Sequence, residues 1–246
     1  MNDLSLQNKY SKLVGKHVLV IGGTSGVGFA VARASLAASA IVSISSSSAE
    51  HVELRKQDLL GEFPNAQVQG HGCDLSKDSV EQEIEVLFRK VGQVDHVVFT
   101  AANRLASTPV QIITSEKIVA AGQLRFIAPI LVAKIGSRHI SPGPESSMTM
   151  TTGSYAGAIC SVTRNLALDL KPVRVNAVSP GLVDTEMWDT AMTAEQKESL
   201  YGSQAARYPT GRVAKPEDVA EAYIYLMKDT NTTGQIVCSD SGGSLI

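Results

Sequence analysis

Seven residues, Gly22-Gly23-Thr24-Ser25-Gly26-Val27-Gly28, constrain this chain more than any other feature. They follow a short apolar run, His17–Ile21, and open a stretch that continues through Phe29, Val31 and Leu36. A strand that turns at once into a helix presents that helix's free N–H groups and positive dipole end at the turn. Glycine there lets the backbone turn tightly and lets a pyrophosphate come close. A glycine cluster alone is weak evidence, and the plain alternative is a turn that holds nothing. The strand before and the helix after are the context that raises it.

The rest of the chain supplies a matching frame. His17–Ile21, Ile41–Ser45, Val68–Gly70, His96–Phe99, Met148–Thr151, Val173–Val178 and Gln235–Cys238 read as strands. Between them, Val80, Ile84, Leu87, Phe88 and Val91 fall on one face of a helix. Pro216, followed by Glu217 and Asp218, opens another, and Thr193 with Gln196 has capping-box spacing before Leu200. Strand–helix alternation throughout predicts an α/β fold, a doubly wound parallel sheet with helices on both faces. No linker or repeat divides the 246 residues, so residues 1–246 read as a single domain.

Composition narrows the partners. Hydrophobic residues at 43% and charged residues at 19% are globular values. A net charge of −2 offers no electrostatic case for nucleic acid or an acidic membrane. Cys73, Cys160 and Cys238 are odd in number and lack metal-ligand spacing, so they read as buried reduced thiols. Met1–Gly15 is polar, without the apolar core of a secretory signal, and no apolar run is expected to reach membrane-spanning length. The expectation is a cytoplasmic protein with a small-molecule substrate and no metal.

The spacing Gly-x-x-x-Gly-x-Gly resembles that of the short-chain dehydrogenase/reductase superfamily, and the likeness continues downstream. Asp74-Leu75, after the third strand, matches the family's adenine-contacting position. Thr100-Ala101-Ala102-Asn103, after the fourth, stands where the family usually has Asn-Asn-Ala-Gly. Arg174 to Gly181, with Val183 and Thr185, looks like the nicotinamide-side loop. Gly211-Arg212, Pro216 to Ala220, Thr233-Gly234-Gln235 and Asp240 to Gly243 look like the C-terminal signature. The resemblance implies a Rossmann-type fold with the cofactor held by Gly22, Thr24, Ser25, Gly26, Val27, Gly28, Asp74, Leu75, Thr100, Ala101, Ala102, Pro180, Gly181, Val183 and Thr185. It also implies a homotetramer through two central helices, whose small residues Ala120, Ala121, Ala128, Ala156 and Ala158 suit close packing.

An NAD-type site places a carboxylate at the end of the second strand, about 20 residues beyond the glycines. Here that region is Ser43-Ile44-Ser45-Ser46-Ser47-Ser48, and the first carboxylate is Glu50. Ser45, Ser46 and Ser47 can hydrogen-bond a 2′-phosphate without repelling it, which favours NADP(H). No arginine stands at the expected position.

The family's catalytic set is Asn, Ser, and Tyr-x-x-x-Lys, whose lysine lowers the tyrosine pKa so that the phenol can protonate a carbonyl. This chain aligns Arg125 with the Asn, Gly153 with the Ser and Ala156 with the Lys; four residues after Tyr155 comes Ile159. The family's loop between the fifth strand and the catalytic Tyr is also missing, since Ser154 meets Tyr155 directly. Either the loop is truly absent or a segment is omitted there, and the second is favoured because such connections typically run 2–6 residues.

A ketone needs a proton at oxygen, whereas an iminium already carries its charge and accepts hydride without an acid. Arg125 has five donors but is a poor acid. It could orient a carbonyl or stabilise developing charge. These departures are similar to a fungal secondary-metabolite branch of the superfamily, among them the NADPH-dependent iminium reductases of malbrancheamide- and paraherquamide-type alkaloid pathways. Those also steer an intramolecular Diels–Alder cyclisation, which needs a shaped pocket rather than an acid–base pair. Met187, Trp188 and Tyr201 are candidates to wall such a pocket, or else pack under a loop. Two rivals stand beside this reading: an ordinary ketone or alcohol dehydrogenase lacking its catalytic loop, and a non-catalytic NADP(H) sensor or scaffold.

Overall fold

The structure, a computed structural model, describes residues 9–102, 110–153 and 157–246. Asn103, Ser154, Tyr155 and Ala156 lie outside the described residues.

The first strand, β1 (His17–Ile21), is buried almost throughout, as a strand covered on both faces must be. It leads through the glycines into α1 (Gly26–Ala37). The chain then alternates: β2 (Ile41–Ser46), α2 (Ala49–Glu62), β3 (Val68–Gly72), α3 (Val80–Val91) and β4 (His96–Phe99). A second half follows, with α4 (Ser115–Gly122), α5 (Ala128–Gly136), β5 (Ser147–Thr151), α6 (Gly157–Asp169) and β6 (Arg174–Pro180). Two helices, α7 (Glu186–Asp189) and α8 (Ala194–Arg207), precede α9 (Pro216–Lys228) and β7 (Ile236–Ser239).

All seven strands pair in parallel in the order β3-β2-β1-β4-β5-β6-β7. The expected doubly wound sheet is therefore observed. Residues of α3, α5 and α6 form one buried cluster with the sheet, and residues of α1, α2 and α9 form the other. The α3 stripe read from the sequence, Val80, Ile84, Leu87, Phe88 and Val91, is the buried face of that helix. The capping box is present: Thr193 Oγ1 accepts from Gln196 N at 3.3 Å, and Gln196 Oε1 accepts from Thr193 N at 2.9 Å.

Three expectations need correction. Cys73 is buried, but Cys160 is half-buried and Cys238 exposed; all three are free thiols. The helical run Ser115–Gly136 is 22 residues with mean hydropathy 1.7, long and apolar enough by length and composition to cross a membrane. Its α5 half instead packs on the sheet through Val132, Ala133 and Ile135. Its Ala128 is fully buried in the chain's own core and cannot offer a face to another copy.

Candidate cofactor cleft and active site

In a doubly wound sheet the strand order reverses beside the first strand, and the loops there diverge to leave a crevice at the strands' C-terminal ends. Here the reversal falls between β1 and β4. A cleft of about 1190 Å³ opens at that point, lined by Gly22, Thr24 to Gly28, Thr100, Ala101 and Ala102.

The glycines are required by close approach. A Cβ on Gly22, whose φ is +87°, would lie 2.5 Å from Ala101 N. A Cβ on Gly28 would collide with the Gly22 carbonyl and Thr100 Oγ1. Thr100 draws the turn together by donating towards Ile21 O at 3.1 Å and Gly22 O at 3.2 Å. Ser25 precedes α1 in extended backbone, and its hydroxyl makes no cap bond. The amides of the first turn therefore face the cleft, and the cradle fits a dinucleotide pyrophosphate.

Around this centre lie Ser46, Ser47, Asp74, Leu75, Pro180, Gly181, Val183 and Thr185. Asp74 accepts from Ser76 N at 3.0 Å and Ser76 Oγ at 2.6 Å, bonds that hold its carboxyl below the usual range. Gly181 packs against Asp240, which in turn accepts from Gly242 N and Ser244 N at 3.0 Å.

Two proposed site residues are elsewhere. Ser45 is completely buried within β2, one position before Ser46, and does not line the cleft. Tyr201 lines a separate groove of about 740 Å³ with Lys197, Asp184 and Arg212. There Lys197 brackets α7, pairing with Asp184, which precedes it, at 2.8 Å and with Asp189, its last residue, at 2.7 Å. Burial and the Asp184 charge push the Tyr201 phenol up to about 12. Ser45 still lies within the covered part of β2, whereas Ser46 ends the strand and Ser47 follows it, so those two reach the cleft; Tyr201 could be placed only by the path of α8.

Leu124, Arg125, Thr151, Thr152, Gly153, Met187 and Trp188 also wall the cleft. Trp188 spends its indole N–H on Val183 O at 3.0 Å and keeps its ring half-buried at the cleft. Arg125 is placed by a π turn, Gln123–Ile127, in which Ala128 N bonds Gln123 O. Such a turn adds one residue to the helical circuit and often marks a functional site. Burial lowers the Arg125 pKa, though a guanidinium stays charged at neutral pH. The sequence reading did not single out His51, Gln204, Arg207, Tyr208 and Ile246, which also line the cleft. Among the described lining residues there is no lysine, and the phenol present is Tyr208, from the end of α8.

Comparison with known proteins agrees with this geometry. The model of the SDR-like Rossmann domain matches residues 9–246. The chain is 39% identical to the short-chain dehydrogenase/reductase fsr5 of Gibberella fujikuroi, over 98% of this chain and 99% of that protein. The structure of MalC reductase/Diels-Alderase from Malbranchea aurantiaca superposes with a TM-score of 0.91 at 36% identity, covering 97% of this chain and all of that one. A small-chain dehydrogenase solved in complex with NADPH superposes with a TM-score of 0.77 at 27% identity, covering 94% and 100%.

Proposed function

Because the chain belongs to the short-chain dehydrogenase/reductase family, we propose that it is an NADP(H)-dependent reductase of secondary metabolism acting on a cationic imine. The bound cofactor would supply hydride. Gly22, Gly26 and Gly28 would admit its pyrophosphate; Ser46 and Ser47 would face its adenosine end; Pro180, Gly181, Val183 and Thr185 would hold its nicotinamide end.

The observation that carries the substrate class is Arg125 in the cleft wall, with no lysine among the described lining residues. A permanent guanidinium cannot serve as the acid that a ketone needs. Near an electrophile that loses its positive charge on reduction, it raises the energy of the cation more than that of the neutral amine. Its donors can also hold a carbonyl of substrate or cofactor. Met187 and Trp188 give the same end an apolar wall, which would suit a cyclisation directed by shape. MalC, a reductase and Diels–Alderase by its description, is one of the structures this chain is similar to.

The test is titration with NADPH and NADH followed by cofactor fluorescence, then addition of a cyclic iminium and a simple ketone in turn. Oxidation of NADPH by the iminium alone supports the reading. Binding without turnover of either compound would instead indicate a sensor. The direct Ser154–Tyr155 junction favours one further reading, a ketone reductase deprived of the acid-bearing segment that the family's spacing puts there. Ketone turnover on restoring that segment would select it.

The proposed assembly is a homo-oligomer through α4 and α6. Ile118 and Val119 on α4 are 56% and 63% exposed, and Leu168 on α6 is 70% exposed. Apolar side chains left open on these helices would suit burial against another copy.

A further inference from the structure

Arg55, Asp58 and the cleft-lining Glu186 meet beside the cleft, while the serine turn itself carries no arginine. Arg55 comes from the second turn of α2, one turn beyond His51, which itself lines the cleft. The Arg55 guanidinium lies over the Phe29 ring, 5.0 Å from its centroid. Its Nη1 donates to Asp58 at 3.1 Å, and its Nη2 faces Glu186 Oε1 at 3.6 Å. Its Nε is enclosed and has no hydrogen-bond partner. The same Glu186 carboxylate accepts from Gly26 N at 3.0 Å through Oε2. One carboxylate thus spans an amide of the phosphate cradle and a guanidinium with a donor to spare. A phosphate oxyanion would bind both groups in the same manner.

We propose that Arg55 is the residue that reads the 2′-phosphate of NADP(H), together with Ser46, Ser47 and His51, and that Glu186 holds its place until the cofactor's anions displace it. The inference rests on the NADP(H) reading above. Phe29 fixes the guanidinium plane, so little conformational freedom is lost on binding. Arg33 also flanks Phe29, at 5.9 Å, but is engaged by Glu62 at 2.7 Å and Glu217 at 3.5 Å. It is therefore the less available of the two. The serine turn contributes by carrying no carboxylate to repel the phosphate, and Arg55 supplies the charge it lacks.

The experiment is calorimetric titration of the full chain with NADPH, NADH, 2′,5′-ADP and 5′-AMP. The wild type is expected to prefer NADPH and 2′,5′-ADP. Arg55→Ala should weaken those two by about 10-fold or more, the worth of a charge-assisted bond, and leave NADH and 5′-AMP within about twofold. Arg55→Lys should recover part of the loss. Glu186→Gln should tighten both dinucleotides. Undiminished NADH binding by Arg55→Ala also reports an intact fold. Equal weakening of both cofactors, or an unchanged NADPH preference, would overturn the role of Arg55 while leaving the reductase reading standing. A wild type that binds neither cofactor would overturn both.

Discussion

The hydroxyl of Tyr223 lies 2.6 Å from Thr151 Oγ1, with Tyr223 wholly buried in α9 and Thr151 at the last position of β5. Thr151 donates its own proton to Phe99 O at 2.7 Å, so Tyr223 is the donor in the pair. This relay fastens the ends of β4 and β5, from which Thr100–Ala102 and Thr152–Gly153 project into the cleft. Tyr223→Phe should cost about 1–2 kcal/mol, one buried hydrogen bond, read as a lower denaturation midpoint at unchanged slope. An unchanged midpoint would mean that the hydroxyl is idle.

Gly28→Ala should abolish measurable NADPH binding. The added methyl has backbone on one side and Thr100 on the other, so the turn must open. Overpacking of this kind typically costs about 1–3 kcal/mol of stability. Cofactor fluorescence and thermal melting together would check it; a variant that binds normally would contradict the cradle geometry.

Arg125→Met keeps the length of the side chain and removes the charge. Turnover of an iminium should fall about 100-fold, the usual scale for a lost electrostatic group, while the NADPH Kd stays within about twofold. Single-turnover measurements separate the two. A loss confined to cofactor affinity would instead make Arg125 a nicotinamide-binding residue.

Acid should destabilise the chain through His96. Its ring is buried on β4, accepts or donates to Ser147 Oγ at 2.9 Å, and desolvation drives its pKa down to about 3. The unfolded ring takes up a proton near 6.5, so the unfolded state binds more protons between those two values. Stability from this residue is present above 6.5 and is lost as the pH falls towards 3. His96→Gln should flatten the dependence of melting temperature on pH between about 6 and 4. An equally steep slope in the variant would assign the effect to other groups, such as half-buried His71, whose pKa burial also lowers.

A charge on the open helical face should block assembly. Val119→Glu or Leu168→Asp is expected to shift the protein to a smaller species by light scattering, with the monomer still folded, since both side chains are exposed in the single chain. Unchanged mass in both variants would place the interface elsewhere.

The amino-acid sequence determined the strand–helix alternation of a parallel sheet, the glycine turn and the residues along one edge of the sheet. These follow from local rules: apolar runs of strand length, period-3.6 stripes, and glycines where no Cβ can fit. Ser46, Asp74, Thr100 and Gly181 could be placed at the cleft because each ends or follows a strand, and parallel strands deliver all their ends to one side. Residues carried on helices had no such guide. Whether Tyr201 faces the cleft depends on how α8 is turned, and the ion pairs of Lys197 turn it towards another groove. Arg55 reaches Glu186 across 131 positions of sequence, a contact that no periodicity encodes. Only the tertiary structure decided such contacts, because a helix's rotation about its own axis is set by what packs against it.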